Sequence, residues 1–298
     1  MSLLHFPNSS LDSGHSRCNN TDGSRIGLAL ISTRVFLLFP VSLLILCHGA
    51  QRRRRRSFTA MSHFDVFTFH HCVLELVWIL GTVLQFLGSS MDLEVMSMAG
   101  TYLSTCIFPG EPLFHVLTCL DRYLAVVHPV LYVSLRSSRG VSVRNVAVFG
   151  VWLLCFLFSC AANNLRSVIY IRLFSGFLTC SVLIMLFCGV SVLCALIGPG
   201  PGKKAGNKKL VDQSILRAFV TVAAITGVLC LWFFAFLVSS SLTSSALVAQ
   251  SVSCVLEVSV LWFSLPCSLI LPLLYLLKTG TLQCGHGGEG QEMDTEIN

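Results

Sequence analysis

Charged and strongly polar residues punctuate this chain at intervals, and between them it runs apolar for about one membrane thickness at a time. Seven such runs can be marked, at 26–49, 64–88, 95–127, 145–162, 168–197, 210–240 and 247–277. A helix rises about 1.5 Å per residue, so about 20 apolar residues cross a hydrocarbon core of about 30 Å. The runs are continuously apolar and do not alternate with period two, which argues against barrel strands. An open backbone in lipid would also leave its N–H and C=O groups unpaired. The pattern therefore predicts an all-α fold, a seven-transmembrane helix bundle over 26–277. A tail precedes it at 1–25, and a Gly-rich tail follows at 278–298, whose composition predicts disorder.

Composition strengthens this picture. Only 11% of the residues are charged and 54% are hydrophobic, with a mean hydropathy of +0.77, whereas soluble domains carry roughly 25% charged residues. Two soluble domains are thereby disfavoured, and the lipid bilayer is the expected surrounding. Of the 20 basic residues, 15 fall on one set of alternate loops and span ends, among them Arg52 to Arg56, Arg122, Arg136, Arg139 and Lys278. Positive charge collects on the cytosolic side, so the N-terminus is expected to be extracellular and the C-terminus cytoplasmic. The acceptor triplets that begin at Asn8 and Asn19 lie in the N-terminal tail, where glycosylation takes place. No apolar core follows a basic start in the first 25 residues, so the first span is expected to direct insertion. The arginine run 52–56 comes directly after a span, which argues for stop-transfer and anionic-lipid contact, worth about 1 kcal/mol per residue, and against a nucleic-acid partner.

Twelve of the 14 cysteines lie inside the runs, where they serve as small apolar residues. They form no CxxC pair, and a metal site is not expected. Cys18 can pair with an outer-end cysteine such as Cys254 or Cys160 or remain a free thiol, and Cys284, just past the last run, is a palmitoylation candidate.

The third run ends in Asp121-Arg122-Tyr123-Leu124-Ala125-Val126-Val127-His128-Pro129, followed by Tyr132. An arginine at the mouth of a bundle cannot be neutralised, so it must be paired, hydrated or bound by a partner. A two-state switch can use that choice. The run resembles the signature of rhodopsin-like (class A) G-protein-coupled receptors, and the chain looks most like divergent orphan members of the kind abundant in fishes. The resemblance implies that Asp121 restrains Arg122 at rest and that Arg122 meets a heterotrimeric G protein on activation, with Tyr123, Pro129 and Tyr132 beside it. It also implies a multi-pass receptor in the plasma membrane, an extracellular ligand of unknown identity and no enzymatic reaction.

Other positions match in part. Trp152 looks like the family's fourth-span tryptophan, Trp232 falls where an activation switch is expected, and Leu271-Pro272-Leu273-Leu274-Tyr275 is similar to its Asn-Pro-x-x-Tyr with leucine replacing asparagine. Pro272 is expected to break the helix ladder and Tyr275 to swing toward the core. Glu75 resembles the carboxylate that holds a sodium ion in the family, and Glu111 lies on a neighbouring level. The two carboxylates can then approach and share a proton, or each can be neutral and hydrogen-bonded to an adjacent helix. The family's outer cysteine of the third span, the Gly-Asn pair of the first and the prolines of the fifth and sixth are missing.

Charged residues also mark a candidate ligand pocket. Arg34 and Glu257 lie inside the first and seventh runs, which neighbour each other in the family fold, and a salt bridge between them is expected. Arg166 and Arg172, near the second extracellular loop, can attract an anion or simply snorkel. Three alternatives to a coupling receptor stay open at this point. A transporter calls for repeated halves, and none is evident. A membrane metalloenzyme is suggested by His70-His71 with Glu75, but no further ligand at helical spacing is evident. The third alternative is a receptor-shaped protein that no longer couples.

Overall fold

The structure is a computed structural model that describes residues 21–55, 62–135, 137–165, 167–197, 208–244 and 250–279. Every regular element among them is helical: α1 (Thr21–Arg55), α2 (His63–Ser90), α3 (Glu94–Thr105), α4 (Ile107–Val127), α5 (Pro129–Leu135), α6 (Ser138–Asn164), α7 (Ser167–Ile197), α8 (Lys208–Ser244), α9 (Gln250–Val260) and α10 (Leu265–Thr279). Among the described residues seven stretches are long and apolar enough to cross a membrane, and each overlaps one of the seven runs. Phe36, Phe149, Phe187 and Phe234 point outward and are each at least 60% exposed. Water would penalise such a surface, whereas lipid tails solvate it. The chain is an all-α, multi-pass membrane protein.

Two of the seven spans are interrupted where the sequence shows one unbroken run. The third divides into α3 and α4 at Cys106. Pro109 is the cause: its ring crowds the carbonyl four residues earlier, that of Thr105, and supplies no N–H for it. The chain bridges the fault with one tighter, i→i−3 bond, from Cys106 N–H to the Leu103 carbonyl, before the α-helical pattern resumes with Gly110 N–H to that of Cys106. The seventh divides into α9 and α10 around a 3₁₀ turn, Leu261–Ser264. Pro266 stands just beyond that turn and cannot donate to Trp262, whose carbonyl instead accepts from Leu265. Pro272, expected to break the backbone ladder, lies inside a continuous α10, where its missing N–H leaves the ladder one bond short without ending the helix. The irregularity sits at the earlier proline.

α2 and α3 form a hairpin whose backbones touch. A Cβ on Gly100 would stand 2.3 Å from the Gln85 nitrogen, and one on Gly88 would stand 2.4 Å from that of Ser97. Only glycine admits this approach, the small-residue packing that joins helices where lipid removes the hydrophobic drive. The turn between them carries Asp92 at φ 53°, a left-handed conformation that aspartate tolerates. α4 runs through the centre of the bundle against α2, α6, α7 and α8, while α1 packs against α2, α9 and α10.

Candidate functional site

Polar groups gather at two levels of the bundle. The first lies near the middle of the spans. Arg34 on α1 turns inward and is 3% exposed. Its Nη2 donates to Ser264 Oγ at 2.9 Å and Ser268 Oγ at 2.8 Å and stands 3.5 Å from Glu111 Oε1 on α4. The guanidinium also lies 4.7 Å over the Trp78 ring. Ser268 closes the triangle by donating to Glu111 Oε1. All three oxygens converge on Nη2, whose two N–H groups they share. An isolated charge at this depth would cost on the order of 3 kcal/mol by insertion scales, so a paired arrangement is what the membrane permits.

The first and seventh spans are neighbours, as expected, but the carboxylate beside Arg34 comes from the third span. Glu257 belongs to α9, on the far side of the 3₁₀ turn from Ser268, and its side chain lies outside the described residues. Ser264 ends the 3₁₀ turn and Ser268 lies in the first turn of α10, and both hydroxyls face the arginine.

Glu75 and Glu111 do approach one another. Their carboxylates come within reach of a shared proton, and His71 joins them, so that one ligand-type atom from each of the three lies within 4.8 Å of the others. All three residues are buried. Among the described residues neither nitrogen of His71 and, apart from that approach, neither oxygen of Glu75 has a hydrogen-bond partner. His115 stacks on His71 with ring centroids 5.6 Å apart. It approaches the backbone of Cys267 without a formed hydrogen bond. Sequence reasoning does not single out His115. Its signal is a repeated step: His71 and Glu75 stand four residues apart on α2, Glu111 and His115 four apart on α4, and i, i+4 places each pair on one helix face.

The second level is the end of the bundle that carries Arg122. Arg122 Nη2 stands 3.8 Å from Asp121 Oδ2, and 26% of its side chain is exposed. Its guanidinium lies 4.9 Å over the Phe64 ring, and the ammonium of Lys278 lies 5.1 Å from the same ring. Lys278 also pairs with Asp65 at 2.7 Å, joining the end of α10 to the start of α2. Pro129 opens α5, where its missing N–H costs nothing, and this short helix brings the Tyr132 hydroxyl to donate to Asp121. Tyr123 bonds within its own turn, with its hydroxyl 3.2 Å from His128 Nε2.

The remaining expected residues fall around these two levels. Trp152 donates to His70 Nδ1 at 3.4 Å. Trp232 is buried and meets Phe174 edge-on in an aromatic cluster between α7 and α8. Tyr275 is fully buried and bonded to His48 Nδ1 at 2.9 Å, so it already occupies the core. Arg172 is exposed on α7. Asn8, Asn19, Cys18, Arg166 and Cys284 lie outside the described residues, as does the side chain of Cys254, and Cys160 is a free thiol. A small cavity lined by Leu30, Trp78, Phe108 and Leu261 reaches the charged groups of Arg34 and Glu111.

No protein-family model matches the chain, and no curated protein matches it.

Proposed function

We propose that this protein is a receptor of the rhodopsin-like G-protein-coupled class, placed in the plasma membrane with its N-terminus outside. The observation that carries this reading is the arrangement at the Arg122 end. Asp121 is held by Tyr132 of the following short helix, while Arg122 rests on Phe64, partly exposed and tied to no carboxylate of another span among the described residues. Such an arginine can leave one set of contacts and take up another. A ligand that favours a second packing of the spans shifts the population toward it, and Arg122 then meets the G protein. The cavity at Arg34 and Glu111 offers an outer ligand a charged contact.

The test is G-protein activation by the native chain and by Arg122→Ala, measured without ligand and across a ligand panel. The expected result is a basal or evoked signal in the native protein that Arg122→Ala abolishes. A signal that survives Arg122→Ala would sink the mechanism. A native chain inert toward every G-protein class would leave a receptor-shaped protein that no longer couples.

One observation favours a second reading. The two interrupted spans, the third and the seventh, both send polar groups to the mid-membrane cluster, and broken helices around a midplane site are how transporters bind their solutes. Solute uptake into vesicles that depends on Glu111, together with silence in the G-protein assay, would select it.

A further inference from the structure

The mid-membrane cluster has more chemistry than a receptor switch uses. Arg34, Ser264 and Ser268 account for Glu111, yet His71, 0% exposed, makes no hydrogen bond through either ring nitrogen, and Glu75, also 0% exposed, has no partner beyond its approach to Glu111. Buried polar groups without partners are costly, and each asks for an explanation. Three candidates are a shared proton, an alkali cation and a transition-metal ion. One proton satisfies the two carboxylates and leaves the imidazole untouched. An alkali cation takes hard oxygen donors and has no use for an imidazole nitrogen, whereas zinc and its neighbours take imidazole and carboxylate together.

We propose that His71, Glu75 and Glu111 bind a first-row divalent transition-metal ion, zinc or one of like ligand preference, with its remaining position open toward His115 and the cavity. The ligand atoms already lie within 4.8 Å of one another, and bonds of about 2.0 to 2.2 Å to a common centre require only small side-chain movements from there. The helix geometry fits the task. His71 and Glu75 project from one face of α2 as an i, i+4 pair, and Glu111 faces them from α4, as metal-binding side chains do across the interior of helix bundles. Arg34 sets the balance. With both carboxylates ionised, the arginine leaves one net negative charge to meet the ion, and its Nη2, 3.5 Å from Glu111 Oε1, competes for that ligand. The ion therefore binds more weakly than it would without Arg34, and binding releases any proton the carboxylates share.

The experiment uses the full chain, purified and reconstituted in lipid nanodiscs and titrated with cobalt(II), whose visible absorption reports low-symmetry coordination. Zinc is then added as a competitor. Expected are intense cobalt bands at one ion per chain, removed by stoichiometric zinc. In His71→Ala and Glu75→Gln the affinity falls by more than the about 10- to 100-fold that loss of an outer-shell partner costs. Arg34→Gln moves the other way and binds cobalt more tightly, by at least about tenfold. A gain of affinity cannot come from misfolding, and because loss of Arg34 itself weakens the fold, the native chain's own binding of one zinc-displaceable cobalt keeps the test decisive if the variants fold poorly. Bands that persist unchanged in His71→Ala and Glu75→Gln would place the ion elsewhere and overturn the proposal. So would a folded native chain that ignores cobalt and zinc, including one whose melting temperature responds to sodium alone. None of these outcomes depends on G-protein coupling, so the metal site and the receptor reading stand or fall separately.

Discussion

The two charged levels of the bundle are built from the same three parts and behave as opposites. Each has an arginine, a carboxylate and an aromatic face: Arg34 with Glu111 and Trp78, Arg122 with Asp121 and Phe64. The distances are alike, 3.5 and 3.8 Å to the carboxylates and 4.7 and 4.9 Å to the rings. What differs is where the partners sit in the chain. Arg34 bonds across the bundle to the third and seventh spans, and 4% of its side chain is exposed. The carboxylate nearest Arg122 is its own chain neighbour, and 26% of its side chain is exposed. A bond between helices is broken only if the helices part, whereas a bond between neighbours constrains nothing outside its own turn. The same chemistry therefore serves as a fastener at one level and leaves a movable group at the other.

The largest effect should come from breaking the fastener. Arg34→Met leaves Glu111 and Glu75 in the core without their cation, and removing one partner of a buried pair costs about 3 to 5 kcal/mol. The expected result is a chain that reaches the membrane poorly and melts well below the native one in a thermal unfolding assay. Glu111→Leu added to Arg34→Met should recover part of the loss, because two apolar side chains replace two charges. A double variant no better than the single would show that the pair contributes nothing between helices. Arg122→Met, by contrast, should leave the melting temperature nearly unchanged.

Next in size is the α2–α3 seam that positions Glu75. Gly100→Val drives a branched side chain into the Gln85 backbone, which cannot yield as a flexible side chain can. Overpacking of this kind costs about 1 to 3 kcal/mol, read as a fall in melting temperature. Gly150→Ala is the control, since a Cβ there meets nothing within 4 Å, and it should be neutral or slightly stabilising through helix propensity. Equal losses at the two positions would mean that the seam is not specially close.

The glycines of this seam also show how far the sequence could be read. Seven spans were legible because a membrane leaves few alternatives to a continuous apolar helix, and each predicted run overlaps an observed span. The breaks at Cys106 and Leu261–Ser264 were harder. Pro109 and Pro266 are visible in the sequence, but so are Pro40, Pro112 and Pro272, which sit inside continuous helices. Whether a proline bends, breaks or is absorbed depends on what neighbouring helices offer the freed carbonyl. The approach of Glu75 to Glu111 followed from their depth along the spans. That Glu111 also stands beside Arg34 did not follow, because depth alone cannot tell which of several carboxylates faces it, and the expected partner Glu257 has its side chain outside the described residues. The fourth polar group, His115, lay in a four-residue step that matters only when two helices are known to face each other.

At the Arg122 end, Phe64→Leu comes next. The ring lies under both Arg122 and Lys278, and each such contact is worth about 0.5 to 1 kcal/mol at a partly exposed site. Melting should fall only slightly. Under the proposed receptor reading, ligand-independent G-protein activation should rise, since Arg122 loses the surface on which it rests. Unchanged basal activity would mean that Phe64 is packing only.

Lys278→Met should have the smallest effect on stability and is the sharpest test of the contrast between the levels. Lys278 is 40% exposed at its side chain and pairs with Asp65 at 2.7 Å, and a pair this open is worth about 0 to 1 kcal/mol. Methionine keeps the stem's length and apolar contact, so the loss is confined to the charge. The pair nevertheless joins the end of the seventh span to the start of the second, beside the ring that carries Arg122. If it favours the resting packing by about 1 kcal/mol, its removal raises the active population by about fivefold while that state is rare. A melting curve cannot resolve such a change, but a basal signalling assay can. A several-fold rise in basal activity at unchanged melting temperature is the expected outcome. If Lys278→Met is silent while Phe64→Leu signals, the aromatic face alone restrains Arg122, and the link between the second and seventh spans is not part of the switch.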